Sequence, residues 1–252
     1  MDNIDNQKFL LACNKVNTAK EKNGIGTLGE KTLHAVLKHY YEPSELNHEI
    51  KIGSFVADIV NESGIIEIQT TAFNKLRNKL KLFLEVAVVT LVYPIPKNKW
   101  LLWIDTKTGE TTQKRKSPKQ GRAYEVFREL YKIKPLLTNP NLKLCIVLID
   151  IEEYRYLNGW SEDKKQGSTR SNRIPVNIAE EIYIDNINDY AKLIPKELPQ
   201  KFTSKDYKTH SKLNLSNSQT ALNVLSHVNA VTRIGKQGNL FIYARQSISY
   251  NT

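Results

Sequence analysis

Two acidic residues stand within short apolar runs, where a carboxylate is unusual and therefore informative. Asp58 lies in the run 55–60, and Glu67 lies in the run 65–70. Burying a charged carboxylate costs free energy unless hydrogen bonds or a cation compensate for the lost water. Two such carboxylates side by side would bind a hard divalent cation, because Mg²⁺ prefers carboxylate oxygens. The two residue types therefore favour metal-assisted chemistry on a bound water.

The segment between the two runs determines whether these carboxylates meet. Residues 61–64, Asn-Glu-Ser-Gly, are turn formers and predict a β-hairpin. If the turn is centred in this segment, Val60 pairs with Ile65, and Asp58 then lies opposite Glu67 on the same face. A loop one residue longer or shorter would break this register.

Two further polar residues could complete the site. Gln69 follows Glu67 by two positions, so strand alternation places it on the same face. Glu30 precedes two leucines at helical spacing, which places it at the edge of a buried helical face. Residues 27–30 also form a capping-box pattern, in which Glu30 would only bind the start of its own helix. Both interpretations of Glu30 remain open.

The surrounding periodicity predicts the elements that would position these residues. We expect helices at 7–16, 30–41, 75–84 and 123–131, and strands at 49–60, 65–70, 86–93, 100–104 and around Cys145. This alternation predicts an α/β fold, a mixed sheet flanked by helices.

At this point the chain resembles the PD-(D/E)XK nuclease superfamily, whose fold is restriction-endonuclease-like. The resemblance rests on Glu30 in an early helix, Asp58 in one strand and Glu67-Ile68-Gln69 in the next, followed by a helix. It implies that Asp58 and Glu67 hold Mg²⁺ and that the helix glutamate assists the metal or the water. It also implies that such enzymes often work as dimers.

The chain departs from that superfamily at one position. Gln69 stands where the resemblance leads one to expect a lysine, and an amide cannot supply positive charge. Either Lys75 or Lys79 of the following helix supplies the charge instead, or catalysis has been lost. The sequence leaves both interpretations open.

The C-terminal residues 196–252 carry a separate pattern. Two helices, a tight turn between them and two short strands follow in an order that resembles the winged helix-turn-helix family. The resemblance implies that the second helix enters the DNA major groove and that the strand hairpin meets the backbone. The residues expected to contact DNA are Asn217, Ser218, Gln219, Asn223, Lys236 and Gln237. The alternative is a winged-helix fold used for protein contacts.

Charge supports a nucleic-acid partner. The 252 residues carry a formal net charge of +11, and basic segments at 107–122 and 160–173 suit contacts with backbone phosphates. There are only two cysteines, and the longest apolar stretch, 86–92, is too short to cross a bilayer. We therefore expect a cytoplasmic protein without a membrane partner.

These patterns combine into one prediction with two alternatives. We expect a PD-(D/E)XK nuclease-like domain at 1–195 and a winged helix-turn-helix DNA-binding domain at 196–252. The predicted function is a Mg²⁺-dependent, restriction-type DNA endonuclease. The alternatives are a catalytically inactive DNA-binding regulator on a nuclease-like scaffold, and a structure-specific or repair nuclease.

Overall fold

The computed structural model describes residues 4–23, 32–159 and 169–246. Its helices are α1 Asn6–Asn23, α2 Thr32–Tyr41, α3 Arg77–Val86, α4 Phe127–Leu130, α5 Ser204–Ser211 and α6 Leu215–His227. Its strands are β1 His48–Ile52, β2 Phe55–Asn61, β3 Gly64–Ile68, β4 Val89–Ile104, β5 Arg115–Lys116, β6 Leu142–Tyr156, β7 Arg170–Ile184, β8 Lys201–Thr203, β9 Val231–Gln237 and β10 Leu240–Arg245.

The fold is α/β, with a large mixed sheet flanked by helices, as the sequence predicted. The large sheet has the order β1-β2-β3-β4-β6-β7, with β5 paired to β4, and a separate three-stranded sheet has the order β8-β10-β9. No helix within the described residues is long and apolar enough to span a membrane.

The chain divides into two compact units. The first comprises Met1–His48, Pro94–Gly121 and Val147–Glu181, and the second comprises Glu49–Tyr93, Arg122–Ile146 and Ile182–Thr252. The expected boundary after residue 195 lies inside the second unit. Independent folding of the C-terminal segment stays a prediction.

The hairpin of β2 and β3 has the predicted register, because Val60 pairs with Ile65. Gly64 opens β3 with a φ of +112°, and a Cβ there would lie 2.3 Å from the carbonyl oxygen of Val88. Only glycine tolerates both this φ and this close approach. The amide N of Ile65 also donates to the Val88 oxygen at 2.9 Å. This contact holds the first residues of β3 in place and so supports the hairpin register.

Strand β4 runs parallel to β3 in the large sheet. The pairs Ile65–Val89 and Ile68–Val92 define this parallel register. Parallel neighbours require a crossover connection, which α3 and the 3-10 helix Phe73–Leu76 provide. The Phe83 ring of α3 meets the Phe55 ring of β2 edge to face, with 6.4 Å between centroids. This contact places α3 beside the hairpin.

Several predicted elements differ from the observed ones. The segment 49–60 is two strands, because Gly53 turns the chain with a φ of +58°. The two strands expected at 86–93 and 100–104 are one strand, β4, which continues through Pro94 and Pro96. The segment 123–131 is mostly 3-10 helix around the short α4.

Strands β5, β7 and β8 were not predicted. Strand β7 begins at Arg170, within the segment that the sequence indicated as a basic loop. Ile174, Val176 and Ile178 stand at alternate positions in this strand, a period-two signal that the prediction did not use. Residues 160–168 of that segment lie outside the described residues.

The C-terminal helices begin at well-defined caps. Thr203 caps α5 in a capping box with Asp206. Helix α6 begins at Leu215, where the Asn214 side chain accepts a hydrogen bond from the Asn217 amide at 2.8 Å. An asparagine side chain at the N-cap satisfies an amide that the helix itself cannot.

The segment around Pro195 is held to β10 by Arg245. The guanidinium of Arg245 donates through Nη2 to the carbonyl oxygens of Pro195, Lys196 and Leu198, at 2.6, 3.1 and 2.8 Å. Three hydrogen bonds from one charged group restrain the backbone strongly. The segment is therefore a fixed part of the second unit rather than a free connection.

Candidate functional site

The structure brings Asp58 and Glu67 together at the end of the β2-β3 ladder. The last paired residues are Ile59 and Ile66. Beyond them, the amide of Asp58 donates to Glu67 Oε1 at 3.2 Å, and the amide of Ile68 donates to Asp58 Oδ2 at 2.8 Å. Each carboxylate therefore accepts a hydrogen bond from the backbone of the opposite strand. These bonds fix both side chains relative to the sheet.

Lys79 of α3 is a positive group that contacts Glu67 directly. Its Nζ lies 2.5 Å from Glu67 Oε2, and its side chain is 15% exposed against 2% for Glu67. The ammonium also lies 5.5 Å from the ring centroid of Phe83, one helical turn further on. Lys75, the other lysine considered from the sequence, is exposed on the preceding 3-10 helix. Geometry thus selects Lys79 of the two.

The surroundings of Glu67 raise the pKa of its carboxyl group. Burial, and then the neighbouring Asp58 carboxylate, raise the pKa of Glu67 to about 7. The charge and hydrogen bond of Lys79 act in the opposite direction without outweighing them. The Asp58 carboxylate, as a like charge, thus disfavours ionisation of Glu67. A cation added at this place would relieve that repulsion.

The other residues predicted for the site have different outcomes. Gln69 directs its amide Nε2 to the carbonyl oxygen of Thr71 at 2.5 Å, and its backbone amide donates to Val92 at 2.9 Å. Its side chain thus bonds to the loop after β3. Glu30 lies outside the described residues, so its place relative to Asp58 and Glu67 stays a prediction.

The donor chemistry of the site fits Mg²⁺. Asp58 and Glu67 offer hard carboxylate oxygens, and Mg²⁺ is commonly held by one or two carboxylates together with waters and substrate phosphates. Within residues 4–23, 32–159 and 169–246, no group of three or more acidic, histidine or cysteine side chains could hold a metal.

One residue predicted to contact DNA from α6 faces the wrong way. Ser218 is fully buried, and its hydroxyl donates to the carbonyl oxygen of Asn214 at 2.8 Å. The expectation that Ser218 points outward is therefore wrong, because position 218 lies on the same helical face as Leu222 and Leu225.

The remaining predicted residues of α6 reach the surface to different degrees. Gln219 and Asn223 are exposed, whereas Asn217 is half-buried. The side-chain oxygen of Asn223 accepts a hydrogen bond from Lys134 Nζ at 3.0 Å. Gln219 and Asn223 are thus the predicted α6 residues that lie at the surface.

The hairpin of β9 and β10 exposes a basic and aromatic surface. Lys236 and Gln237, the predicted tip residues, are both exposed. The Lys236 ammonium lies 5.0 Å from the ring centroid of Phe241, and the Arg233 guanidinium stacks on the same ring at 3.5 Å. Cation–π contacts of this kind hold long side chains in place on an exposed strand.

A second charged cluster was missed from the sequence. Glu153 on β6 is fully buried and contacts four cationic side chains, which belong to Lys99, Arg155, Arg170 and Arg173. They come from β4, β6 and β7, so their sequence separation conceals the cluster. We call these five residues the Glu153 cluster.

The fold and the carboxylate pair define an α/β protein with a hairpin-borne acidic site and a lysine from the following helix. By sequence, the chain belongs to the family described as a domain of unknown function, DUF8091, which matches residues 31–185. That span includes Asp58, Glu67 and Lys79, and it ends before α5 and α6.

A similar protein occurs in Treponema pallidum (strain Nichols), where it is described as uncharacterized. It is 30% identical to this chain over 185 residues, which cover 72% of this chain and 72% of the relative. No solved structure gives a significant match to this chain.

Proposed function

We propose that this protein is a Mg²⁺-dependent endonuclease that hydrolyses phosphodiester bonds in duplex DNA, with a restriction-type role. The observation that carries the proposal is the position of buried Glu67 between the Asp58 backbone and the Lys79 ammonium. Two strand carboxylates and a nearby cation are the groups that metal-assisted phosphodiester hydrolysis requires. In the resemblance to PD-(D/E)XK nucleases, the two acids likewise come from two successive strands.

The roles of the residues follow from their contacts. Asp58 and Glu67 would hold Mg²⁺, which lowers the pKa of a bound water and offsets charge on the phosphate. Lys79 would supply the positive charge that Gln69 lacks, exchanging Glu67 Oε2 for a substrate phosphate oxygen. The hydrogen bond from Ile68 to Asp58 keeps that carboxylate aligned throughout.

DNA recognition by a winged-helix domain is the second part of the proposal. Its support is the order β8, α5, α6, β9, β10, together with a sheet in which β10 lies between β8 and β9. Gln219 on α6 would read base edges, and Lys236 on the hairpin would meet the backbone. The net charge of +11 favours such a partner. Two copies would cut the two strands of a duplex.

One observation favours a second function, that of a DNA-binding regulator without catalysis. Both carboxylate oxygens of Glu67 already accept hydrogen bonds from protein groups, and Gln69 carries no charge. A scaffold stabilised in this way needs no metal. It would bind DNA and leave it intact.

Incubation of the protein with plasmid and genomic DNA, in Mg²⁺ or EDTA, separates these functions. The test variant is Asp58→Asn/Glu67→Gln, which keeps side-chain size, and the matched control is Asp185→Ala/Glu197→Ala, which removes two exposed acids. Discrete Mg²⁺-dependent fragments, lost only in the test variant, are expected. Fragments without sequence preference, or preferred cleavage of branched substrates, would favour the repair-type nuclease.

Intact DNA in every metal, with binding retained on a gel, would overturn the nuclease and leave the regulator. Cleavage that persists in the test variant would overturn the proposed site. Far-ultraviolet circular dichroism of both variants distinguishes loss of the site from loss of the fold.

A further inference from the structure

The Glu153 cluster holds more positive charge than its one carboxylate can neutralise. Arg155 donates to Oε1 through Nε and Nη2, at 2.8 and 2.5 Å. On Oε2, Arg173 Nε lies at 3.0 Å, Arg170 Nε at 3.4 Å and Lys99 Nζ at 3.6 Å. Four cations around one anion leave three positive charges unmatched within the cluster.

Hydrogen-bonding capacity shows the same imbalance. A carboxylate offers about four lone-pair sites, whereas each guanidinium carries about five N–H donors. Glu153 therefore cannot accept bonds from most donors of Arg155, Arg170 and Arg173. The guanidinium groups of Arg170 and Arg173 both approach Oε2 through Nε, which leaves their terminal nitrogens outside these contacts.

Burial and the neighbouring positive charges lower the pKa of two cationic side chains of the cluster, Lys99 and Arg170. Burial lowers the pKa of Lys99, Glu153 raises it, and the three arginines lower it further. Burial and then the charge of Arg173 lower the pKa of Arg170. An additional anion would offset this repulsion.

The exposure of the cluster decides what kind of anion fits. Glu153 is inaccessible, but the side chains of Lys99, Arg155, Arg170 and Arg173 are 23%, 18%, 47% and 25% exposed. The cations thus form a partly open surface above a buried acid. Such a surface suits a group that approaches from outside.

We propose that the Glu153 cluster binds phosphate groups of a nucleic-acid backbone, with Arg170 and Arg173 as the main contacts. Guanidinium groups bind phosphate through paired N–H donors, and one buried carboxylate holds them in fixed positions before the ligand arrives. The inference deepens the proposed nuclease function and rests on it, because it names the surface that holds the substrate backbone. A free phosphate has the same chemistry and is separated by the test.

The test is DNA affinity of the full chain as a function of salt, measured in EDTA by fluorescence anisotropy of a short labelled duplex. Arg170→Gln/Arg173→Gln should weaken binding about tenfold and lower the slope of log K against log salt by about two, since each phosphate contact contributes about 0.9. The matched control, Arg128→Gln/Lys192→Gln, removes the same charge from exposed positions outside the cluster. It should leave the slope unchanged.

A second variant keeps the inference falsifiable if glutamine disturbs the fold. Arg170→Lys/Arg173→Lys retains charge, so the slope should persist while affinity falls, because lysine lacks the paired donors. Unchanged affinity and slope in both variants would overturn the inference. A second measurement is the thermal stability of the protein in inorganic phosphate. If phosphate stabilises the wild type but not the variants, and DNA affinity is unchanged, the ligand of the Glu153 cluster is a free phosphate instead.

The outcome is independent of catalysis because EDTA prevents cleavage. A reduced slope in the glutamine variant together with intact DNA in Mg²⁺ would support the cluster and overturn the nuclease. Mg²⁺-dependent cleavage with an unchanged salt slope would support the nuclease and overturn the role of the Glu153 cluster.

Discussion

Two buried glutamates in this chain have opposite electrostatics. Glu67 and Glu153 are 2% and 0% exposed, yet the pKa of Glu67 is raised to about 7 and that of Glu153 is lowered to about 2. Burial raises the pKa of both residues, so burial cannot cause the difference. The cause is the neighbours: Glu67 has a second carboxylate and one lysine, whereas four cations surround Glu153.

The comparison shows that neighbouring charge, rather than burial, decides whether each glutamate is favoured as the acid or as the carboxylate. The hairpin site of Asp58 and Glu67 would gain from a cation, and the Glu153 cluster would gain from an anion. Mg²⁺ and a phosphate backbone are the two ligands of opposite sign that a nuclease uses. Removing the Glu153 carboxylate should therefore increase repulsion among cations, whereas removing the Lys79 ammonium should increase repulsion between carboxylates.

The largest effect is expected on stability from Glu153→Gln. The substitution leaves four partly buried cations around a neutral amide, and removing one partner of a buried ion pair costs about 3–5 kcal/mol. Urea denaturation at neutral pH measures the change. Glu197→Gln, at an exposed position, is the control and should change stability little. A loss as small as that of the control would contradict the compensating role of Glu153.

The same glutamate should make stability depend on acid. Its pKa falls from an ordinary 4.5 to about 2 on folding, so the unfolded chain binds the proton first as pH is lowered. The stabilisation is complete above about pH 4.5 and is lost as pH falls towards 2; it amounts to about 3 kcal/mol.

The measurement is the difference in unfolding free energy between wild type and Glu153→Gln across that pH range. The difference should shrink as pH falls. A difference that stays constant from pH 5 to about 2.5 would mean that the cations do not hold the carboxylate ionised.

At the hairpin site of Asp58 and Glu67, Lys79→Met should reduce Mg²⁺-dependent cleavage by about 100-fold. Removing one group that stabilises developing negative charge has an effect of this order. Lys75→Met is the matched control on an exposed position, and it should retain activity. DNA affinity in EDTA should be similar in both variants, because one lysine contributes little to backbone binding.

Arginine at position 79 distinguishes charge from structure. Lys79→Arg keeps the positive charge and should restore part of the activity lost in Lys79→Met. Equal activity of wild type and Lys79→Met would show that Glu67 needs no cationic partner for cleavage.

The sequence predicted the register of the β2-β3 hairpin because short-range rules govern it. A turn at residues 61–64 and strand alternation suffice to place Asp58 opposite Glu67, and the observed pairs have this register. The choice between Lys75 and Lys79 required the position of α3, which depends on packing such as the contact of Phe83 with Phe55. Propensity alone does not supply that position.

The Glu153 cluster shows what sequence patterns cannot give. Lys99 and Arg173 lie 54 and 20 positions from Glu153, and only the pairing of three strands brings them together. Strand β7 was not predicted, so no pattern placed Arg170 or Arg173 beside β6. The prediction that Ser218 points outward was wrong for a local reason. A one-position error in helical phase exchanges a buried side chain for an exposed one.

The smallest expected effect concerns recognition, and it separates base contacts from charge. Gln219→Ala should reduce the preference for a cognate sequence by about 1–2 kcal/mol, because its amide can bond a base edge. The salt slope should stay the same, since no phosphate contact is lost. Ser218→Ala, one residue away but buried, should lower stability and leave the preference intact.

Competition between specific and random duplexes measures this preference, with the Arg170→Gln/Arg173→Gln variant in parallel. That variant should weaken binding to both duplexes equally, whereas Gln219→Ala should weaken only the specific one. If Gln219→Ala lowered both affinities equally, α6 would act as another basic surface contact rather than as the reader of sequence. The assignment of phosphate contacts to the Glu153 cluster and of base contacts to α6 would then be wrong. The proposed roles of Asp58 and Glu67 would be unaffected.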